Sequence, residues 1–200
     1  MKNFVLGITG ASAQPLAERA IKLLLQKEHH IHLIISKGAY EVWKSELQTI
    51  LPVDTNLQET FFRKRLDEYR GKLKCYKWNN NSADIASGSF KTDGMIILPC
   101  TMGTLGRIAS GISINLIERC ADVHLKENRP LILSPRESPL NMIHLRNMKT
   151  LCEAGATICP PMPAWYSKPK TIDDIIDFIV IRLFDSLGED IGVLNRWDGK

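Results

Sequence analysis

The chain has 200 residues, 44% hydrophobic and 24% charged, with a formal net charge of +4. This length suits one domain with a real core, and with no Lys/Arg-rich run of a nucleic-acid binder the excess cations are assigned to small anionic ligands. Five cysteines without a CxxC pair read as reduced thiols of a cytoplasmic protein, and no apolar stretch approaches the ~20 residues of a membrane span.

Residues 4–8 form an apolar run, too short for a signal peptide, that reads as a buried strand. The turn Thr9-Gly10-Ala11-Ser12 follows, then a helical pattern through Ala17, Ala20, Ile21, Leu24 and Leu25, for which Ser12 is the expected N-cap. A second strand spans 31–35 and ends at Ser36-Lys37-Gly38, before a helix through Tyr40, Val42, Trp43 and Leu47. Residues 52–72 are polar, with helical tendency over 57–69. Residues 73–78 read as a short strand and Asn79-Asn80-Asn81-Ser82 as a loop.

The richest stretch is 87–104. The hydroxyl-bearing loop Ser87-Gly88-Ser89 precedes a continuously apolar strand over 95–98, which opens into a second polar turn, Thr101-Met102-Gly103-Thr104. A helix is expected over 112–126, a strand over 131–133, a helix over 139–154, a strand from Thr157, a proline turn over 160–163 and a final helix over 172–187. Strands alternating with helices imply a three-layer α/β fold, a doubly wound parallel sheet of the Rossmann/flavodoxin-like kind, in a single domain over 1–200. Ligands of such sheets sit beyond the carboxyl ends of the strands, which here carry Gly10 to Ser12, Ser36, Thr101 to Thr104, Arg136-Glu137 and residues 160–166.

Individual motifs admit two readings each. Gly10-Ala11-Ser12 can present N–H groups and a hydroxyl to a phosphate, or Ser12 can simply cap its helix. Arg119 and Lys126, two turns apart on one helix face, either bind phosphate oxygens or belong to a solvated face in which Asp122 pairs with Arg119. Arg136-Glu137, bracketed by Pro135 and Pro139, places a cation and a carboxylate on a stiff loop. Asp173-Asp174-Ile175-Ile176-Asp177 spells DDxxD, but Thr171 to Asp174 reads as a capping box on a helix start, so no magnesium site is assigned. His29-His30-Ile31-His32 lacks companion ligands, and no metal is expected there.

Taken together, Ile8-Thr9-Gly10-Ala11-Ser12, Ile34-Ile35-Ser36-Lys37, Ala86-Ser87-Gly88-Ser89-Phe90, Leu98-Pro99-Cys100, Asn115-Leu116-Ile117-Glu118-Arg119, Leu125-Lys126-Glu127, Pro135-Arg136-Glu137 and Arg196-Trp197 resemble the UbiX-type flavin prenyltransferases in order and spacing. The resemblance implies transfer of a dimethylallyl group from dimethylallyl monophosphate to reduced FMN, without metal, giving prenylated FMN for a UbiD-type decarboxylase. It implies FMN contacts from Gly10, Ala11, Ser12, Ser36, Thr101, Met102, Gly103, Thr104 and Arg136. Ser87, Ser89, Arg119, Lys126, Tyr166 and Arg182 are implied to hold the prenyl phosphate. Catalytic roles fall to Glu46, Glu137, Ser12 and Trp197, with Tyr166, Trp165 and Trp197 as an aromatic wall. A homododecamer with sites shared between subunits is implied. The chain departs from the pattern at Ala13, where relatives usually carry glycine, and at Gly103, where many carry lysine.

Two other readings compete. A flavin-dependent decarboxylase of cysteine-ended peptides or phosphopantothenoylcysteine needs a histidine on the first helix and a PASANT-like segment, and neither is found. A non-catalytic FMN-binding accessory subunit would bind flavin without turning over a prenyl phosphate.

Overall fold

The structure, a computed structural model, describes residues 1–192. Six strands, β1 (Asn3–Ile8), β2 (His30–Ile35), β3 (Lys72–Lys77), β4 (Gly94–Cys100), β5 (Leu131–Pro135) and β6 (Thr157–Ile158), form one sheet in the order β3-β2-β1-β4-β5-β6, with every pairing parallel. Alternation along β1 sets the two layers: Phe4, Leu6 and Ile8 face one apolar cluster while Val5 faces the other. Helices α1 (Gln14–Gln26), α2 (Lys37–Leu47), α3 (Thr55–Leu66) and α7 (Ile172–Asp185) cover the first face; α4 (Met102–Ala109), α5 (Leu116–Lys126) and α6 (Met142–Glu153) cover the second. β4 is buried along its whole length, as a strand covered on both faces must be. No helix among the described residues is long and apolar enough to cross a membrane.

The strand order switches direction between β1 and β4, β1 leading outward to β2 and β3 and β4 leading outward to β5 and β6. The connection from β1 passes to the first face through α1, that from β4 to the second through α4 and α5, and a crevice opens between the two strand ends. Gly7 matters here: a Cβ on it would lie 3.1 Å from Ile117 Cγ2, so its bare backbone lets α5 pack directly on β1.

Several expected boundaries move. Ser12 does not cap α1: the helix begins at Gln14, its N-cap is Ala13 at φ 96°, and the capping acceptor comes from another helix. Thr101 to Thr104 is no open turn but the start of α4, with Thr101 as N-cap. Two glycines in the helix weaken it locally, but Met102, Leu105 and Ile108 bury against β4 and β5, and a Cβ on Gly106 would lie 3.1 Å from Asn147 Nδ2 on α6. The helix expected from 112 starts at Leu116, because the Asn115 side chain accepts from Glu118 N–H at 3.0 Å and stops it there. The helix expected from 139 starts after Asn141, and the last helix ends at Asp185. Thr171 and Asp174 do form the capping box at the head of α7.

Candidate functional site

Thr9 ties the two sides of the crevice together. Its hydroxyl donates to Pro99 O at 2.7 Å and accepts from Thr101 N–H at 2.8 Å, joining the carboxyl ends of β1 and β4. Gln14, fully buried, donates from Nε2 to Thr9 O at 2.9 Å and Ala11 O at 2.8 Å, so the Gly10-Ala11-Ser12 arch is braced from beneath. From α2, Glu46 closes the arch: its Oε2 accepts from Ala13 N–H at 3.0 Å and Gln14 N–H at 2.8 Å, supplying the α1 cap that Ser12 does not. Gly10 lies against Gly38, where a Cβ would come within 2.8 Å of the Gly38 carbonyl.

A cavity of ≈ 310 Å³ occupies the crevice, lined among others by Thr9, Gly10, Ser36, Thr101, Thr104 and Arg107. It lies beside a larger open cleft of ≈ 590 Å³, and Lys37 and Trp78 line both. Ser36 and Thr101 are the N-caps of α2 and α4, so both helix starts face this space with the Arg107 guanidinium. Hydroxyls, N–H groups and a cation without a carboxylate on the wall make a donor set for phosphate. Four of the residues expected to contact FMN, Gly10, Ser36, Thr101 and Thr104, meet here. Ala11 and Ser12 stand on the adjoining arch, while Met102 is buried and Gly103 exposed at the head of α4. Arg136 is reached from β5; its N–H donates to Cys100 O at 3.2 Å and its side chain is exposed.

A second group gathers about residues 86–90. Ser87 and Ser89 share a hydrogen bond of 2.8 Å between their hydroxyls. Arg119 Nε donates to Ala86 O at 3.0 Å while its Nη1 pairs with Asp122 at 2.6 Å, so the helix-face pair and the loop contact coexist. Lys126 Nζ pairs with Glu127, and a side chain on Gly88 would overlap both of them. The hydrogen bond from Lys126 holds the Glu127 carboxyl below its usual range. Arg129 Nη1 donates to Phe90 O at 2.6 Å and its Nη2 to Gly88 O, fixing the loop from below. Two hydroxyls and three cations, Arg119, Lys126 and Arg129, thus converge on one loop.

Tyr166 and Arg182 belong to the opposite layer. The Tyr166 ring meets the edge of Phe178 at 5.8 Å, and Arg182, one turn further along α7, pairs with Asp185 at 3.1 Å. Trp165 is exposed beside them. Glu137 is exposed on the loop after β5 and accepts from Ser138 N–H at 3.0 Å. Trp197 lies outside the described residues. Burial pushes the thiols of Cys100 and Cys120 up to about 12, which leaves both protonated and poor nucleophiles at neutral pH.

Sequence reasoning missed Gln14, Arg107, Glu118 and Arg129. Arg107 and Glu118 lie 11 residues apart on different helices, yet Arg107 Nε donates to Glu118 Oε1 at 2.6 Å. No periodicity signals a pair made between two helices in this way.

The profile of the Flavoprotein family matches residues 1–184. Flavin prenyltransferase UbiX of Synechocystis sp. is 45% identical over 196 residues, covering 98% of this chain and 95% of the relative. The crystal structure of AnUbiX (PadA1) in complex with FMN and dimethylallyl pyrophosphate superposes with a TM-score of 0.88 at 39% identity, covering 100% of this chain and 98% of the other. A dodecameric FMN-dependent UbiX-like decarboxylase from Escherichia coli O157:H7 superposes with a TM-score of 0.86 at 37% identity, covering 98% and 100%. The chain belongs to the Flavoprotein family and, within it, to the UbiX flavin prenyltransferases.

Proposed function

We propose that this chain transfers a dimethylallyl group from dimethylallyl monophosphate to reduced FMN, and that the prenylated FMN is delivered to a UbiD-type decarboxylase. The observation that carries the reading is the gathering of Ser87, Ser89, Arg119 and Lys126 about one loop. Family membership and the FMN and dimethylallyl pyrophosphate bound in the similar structure support it.

The donor set of the crevice fits the phosphate end of FMN, and Gly10, Ala11, Ser12, Ser36, Thr101 to Thr104 and Arg136 contact the FMN as a whole in this scheme. Bound there, reduced FMN supplies the nucleophilic ring that accepts the five-carbon group. Lys126 and Arg119 neutralise the charge that grows on the departing phosphate, while the Ser87 and Ser89 hydroxyls orient it. Two carboxylates serve proton transfer: Glu46, fixed beside the Gly10–Ser12 arch by two N–H donors, and Glu137 on the loop after β5. Ser12 stands on the same arch, within the catalytic group. Tyr166 and Trp165 are assigned to the aromatic wall, and Arg182 joins Tyr166 in holding the prenyl phosphate.

Tyr166 and Arg182 sit on the face opposite Lys126, so one protomer divides these groups between its two layers. A homododecamer with shared sites resolves that division, and the dodecameric relative supports it. The exposed apolar side chains Leu140, Met142, Ile143 and Leu145 around the start of α6 are the surface assigned to subunit contact. The compartment we assign is the cytoplasm, supported by five free thiols.

The deciding experiment is anaerobic incubation with reduced FMN and dimethylallyl monophosphate, followed by mass spectrometry of the released flavin. The expected product carries one added five-carbon unit. Unmodified flavin released from folded, FMN-loaded protein removes the transferase reading and leaves an accessory flavin carrier.

A further inference from the structure

We propose that Arg107 is the cation that receives the phosphate of FMN in the crevice, with Glu118 as the positioning residue behind it. The proposal rests on the flavin reading above and deepens it by naming the residue that selects a phosphorylated flavin.

Glu118 has no accessible surface, and both its oxygens are satisfied: Oε1 accepts from Arg107 Nε at 2.6 Å and Oε2 from Ile114 N–H at 3.0 Å. A buried carboxylate of this kind strongly disfavours loss of its partner, so the guanidinium is locked by its Nε edge. Its other edge faces the cavity. Nη2 reaches Thr104 Oγ1 at 3.3 Å, and Nη1 has no acceptor among the described residues. Nη1 lies 3.4 Å from the point where a Cβ on Gly103 would stand, so it runs along bare backbone at the head of α4. The planar fork of arginine can serve a carboxylate on one edge and a phosphate on the other in fixed geometry, which the point charge of a lysine ammonium does not provide. Lys37 also lines the cavity, but it is exposed and has no comparable anchor.

The test compares dissociation constants for FMN and for riboflavin, which differ only in the phosphate, read by flavin fluorescence. In R107Q/E118Q, which removes the buried pair together, FMN binding is expected to weaken about tenfold to a hundredfold and riboflavin binding to stay within about twofold. Adding G103K to that background returns a cation to the vacated space and is expected to recover most of the FMN preference. Thermal melts establish that each variant is folded. If R107Q/E118Q does not fold, R107K decides: it retains the charge on Glu118 yet is expected to lower FMN preference by about fivefold. Equal weakening for both flavins, or none for either, overturns the proposal while leaving the flavin reading intact. Wild-type protein that binds neither flavin overturns both.

Discussion

Ala13 and Glu46 are bound to each other across two helices, the Ala13 N–H donating to Glu46 Oε2 at 3.0 Å while Ala13 itself holds φ at 96°. An L-residue there is strained, because its Cβ crowds the following carbonyl. Ala13→Gly is therefore expected to stabilise the protein by ~0.5–1 kcal/mol, the left-handed strain relieved outweighing the entropy of glycine. Chemical denaturation checks it: a lower midpoint for the glycine variant would contradict the account.

Glu46 carries the other half of the contact. Glu46→Ala leaves two N–H groups of the α1 start without an acceptor and is expected to destabilise by about 1–2 kcal/mol. Glu46→Gln keeps an acceptor oxygen and is expected to lose less stability, while losing prenyl transfer if the carboxylate also moves a proton. Comparing melting temperature with turnover across both variants separates the two roles.

Gly10 and Gly88 both lack room for a side chain, for different reasons. A methyl on Gly10 meets the Gly38 backbone at 2.8 Å, so Gly10→Ala forces the arch and α2 apart; loss of both FMN binding and stability is expected. A methyl on Gly88 meets the flexible ends of Lys126 and Glu127, so Gly88→Ala is expected to fold normally and to raise the KM for the prenyl phosphate by displacing Lys126.

Lys126 itself is exposed and its partner Glu127 is solvated, so Lys126→Met should barely move the melting temperature. The kcat/KM for dimethylallyl monophosphate should fall by about tenfold to a thousandfold, since a charge on the leaving phosphate goes unmatched. A large melting shift without a kinetic defect would assign Lys126 to the fold instead.

Two histidines tie stability to pH. Burial lowers His32 and His124 to about 4. The unfolded chain protonates them near 6.5 and the folded chain does not, so the unfolded state binds more protons between those values. Their contribution is complete above pH 6.5 and is lost as pH falls toward 4, each on the order of 3 kcal/mol at completion. His124 donates from Nδ1 to Cys120 O at 2.7 Å and faces Thr92 Oγ1 at 2.9 Å with Nε2, a pattern that suits the neutral ring. In His124→Gln the fall in melting temperature between pH 6.5 and 5 is expected to be shallower than in the wild type. An unchanged slope would exclude His124 as its source.

Much of this was legible in the residues themselves. The apolar run through β4 and the polar turns at the ends of β1, β2 and β4 identified a parallel sheet and the edge at which its ligands gather. The helix Met102–Ala109 was not legible, because Gly103 and Gly106 weaken local helix preference and only packing against β4, β5 and α6 reverses it. Ser12 looked like a cap because its type suits one, but the donors it would have served are taken by Glu46 from a separate helix. The Ser87, Ser89, Arg119 and Lys126 group was legible only as separate motifs, since the loop is joined in space to α5 through the Ala86 carbonyl and to Arg129, just beyond α5, through the carbonyls of Gly88 and Phe90.

Periodicity and residue type alone determined the layer order, the buried strands and the chemical character of the loops, because burial on one or two faces imposes a repeat that any fold of this chain must honour. Only the tertiary structure decided which polar groups face one another: Thr9 with Pro99, Glu46 with Ala13, and Arg107 with Glu118. Such pairs form between segments distant in sequence, where geometry and desolvation choose the partner and no local pattern records it.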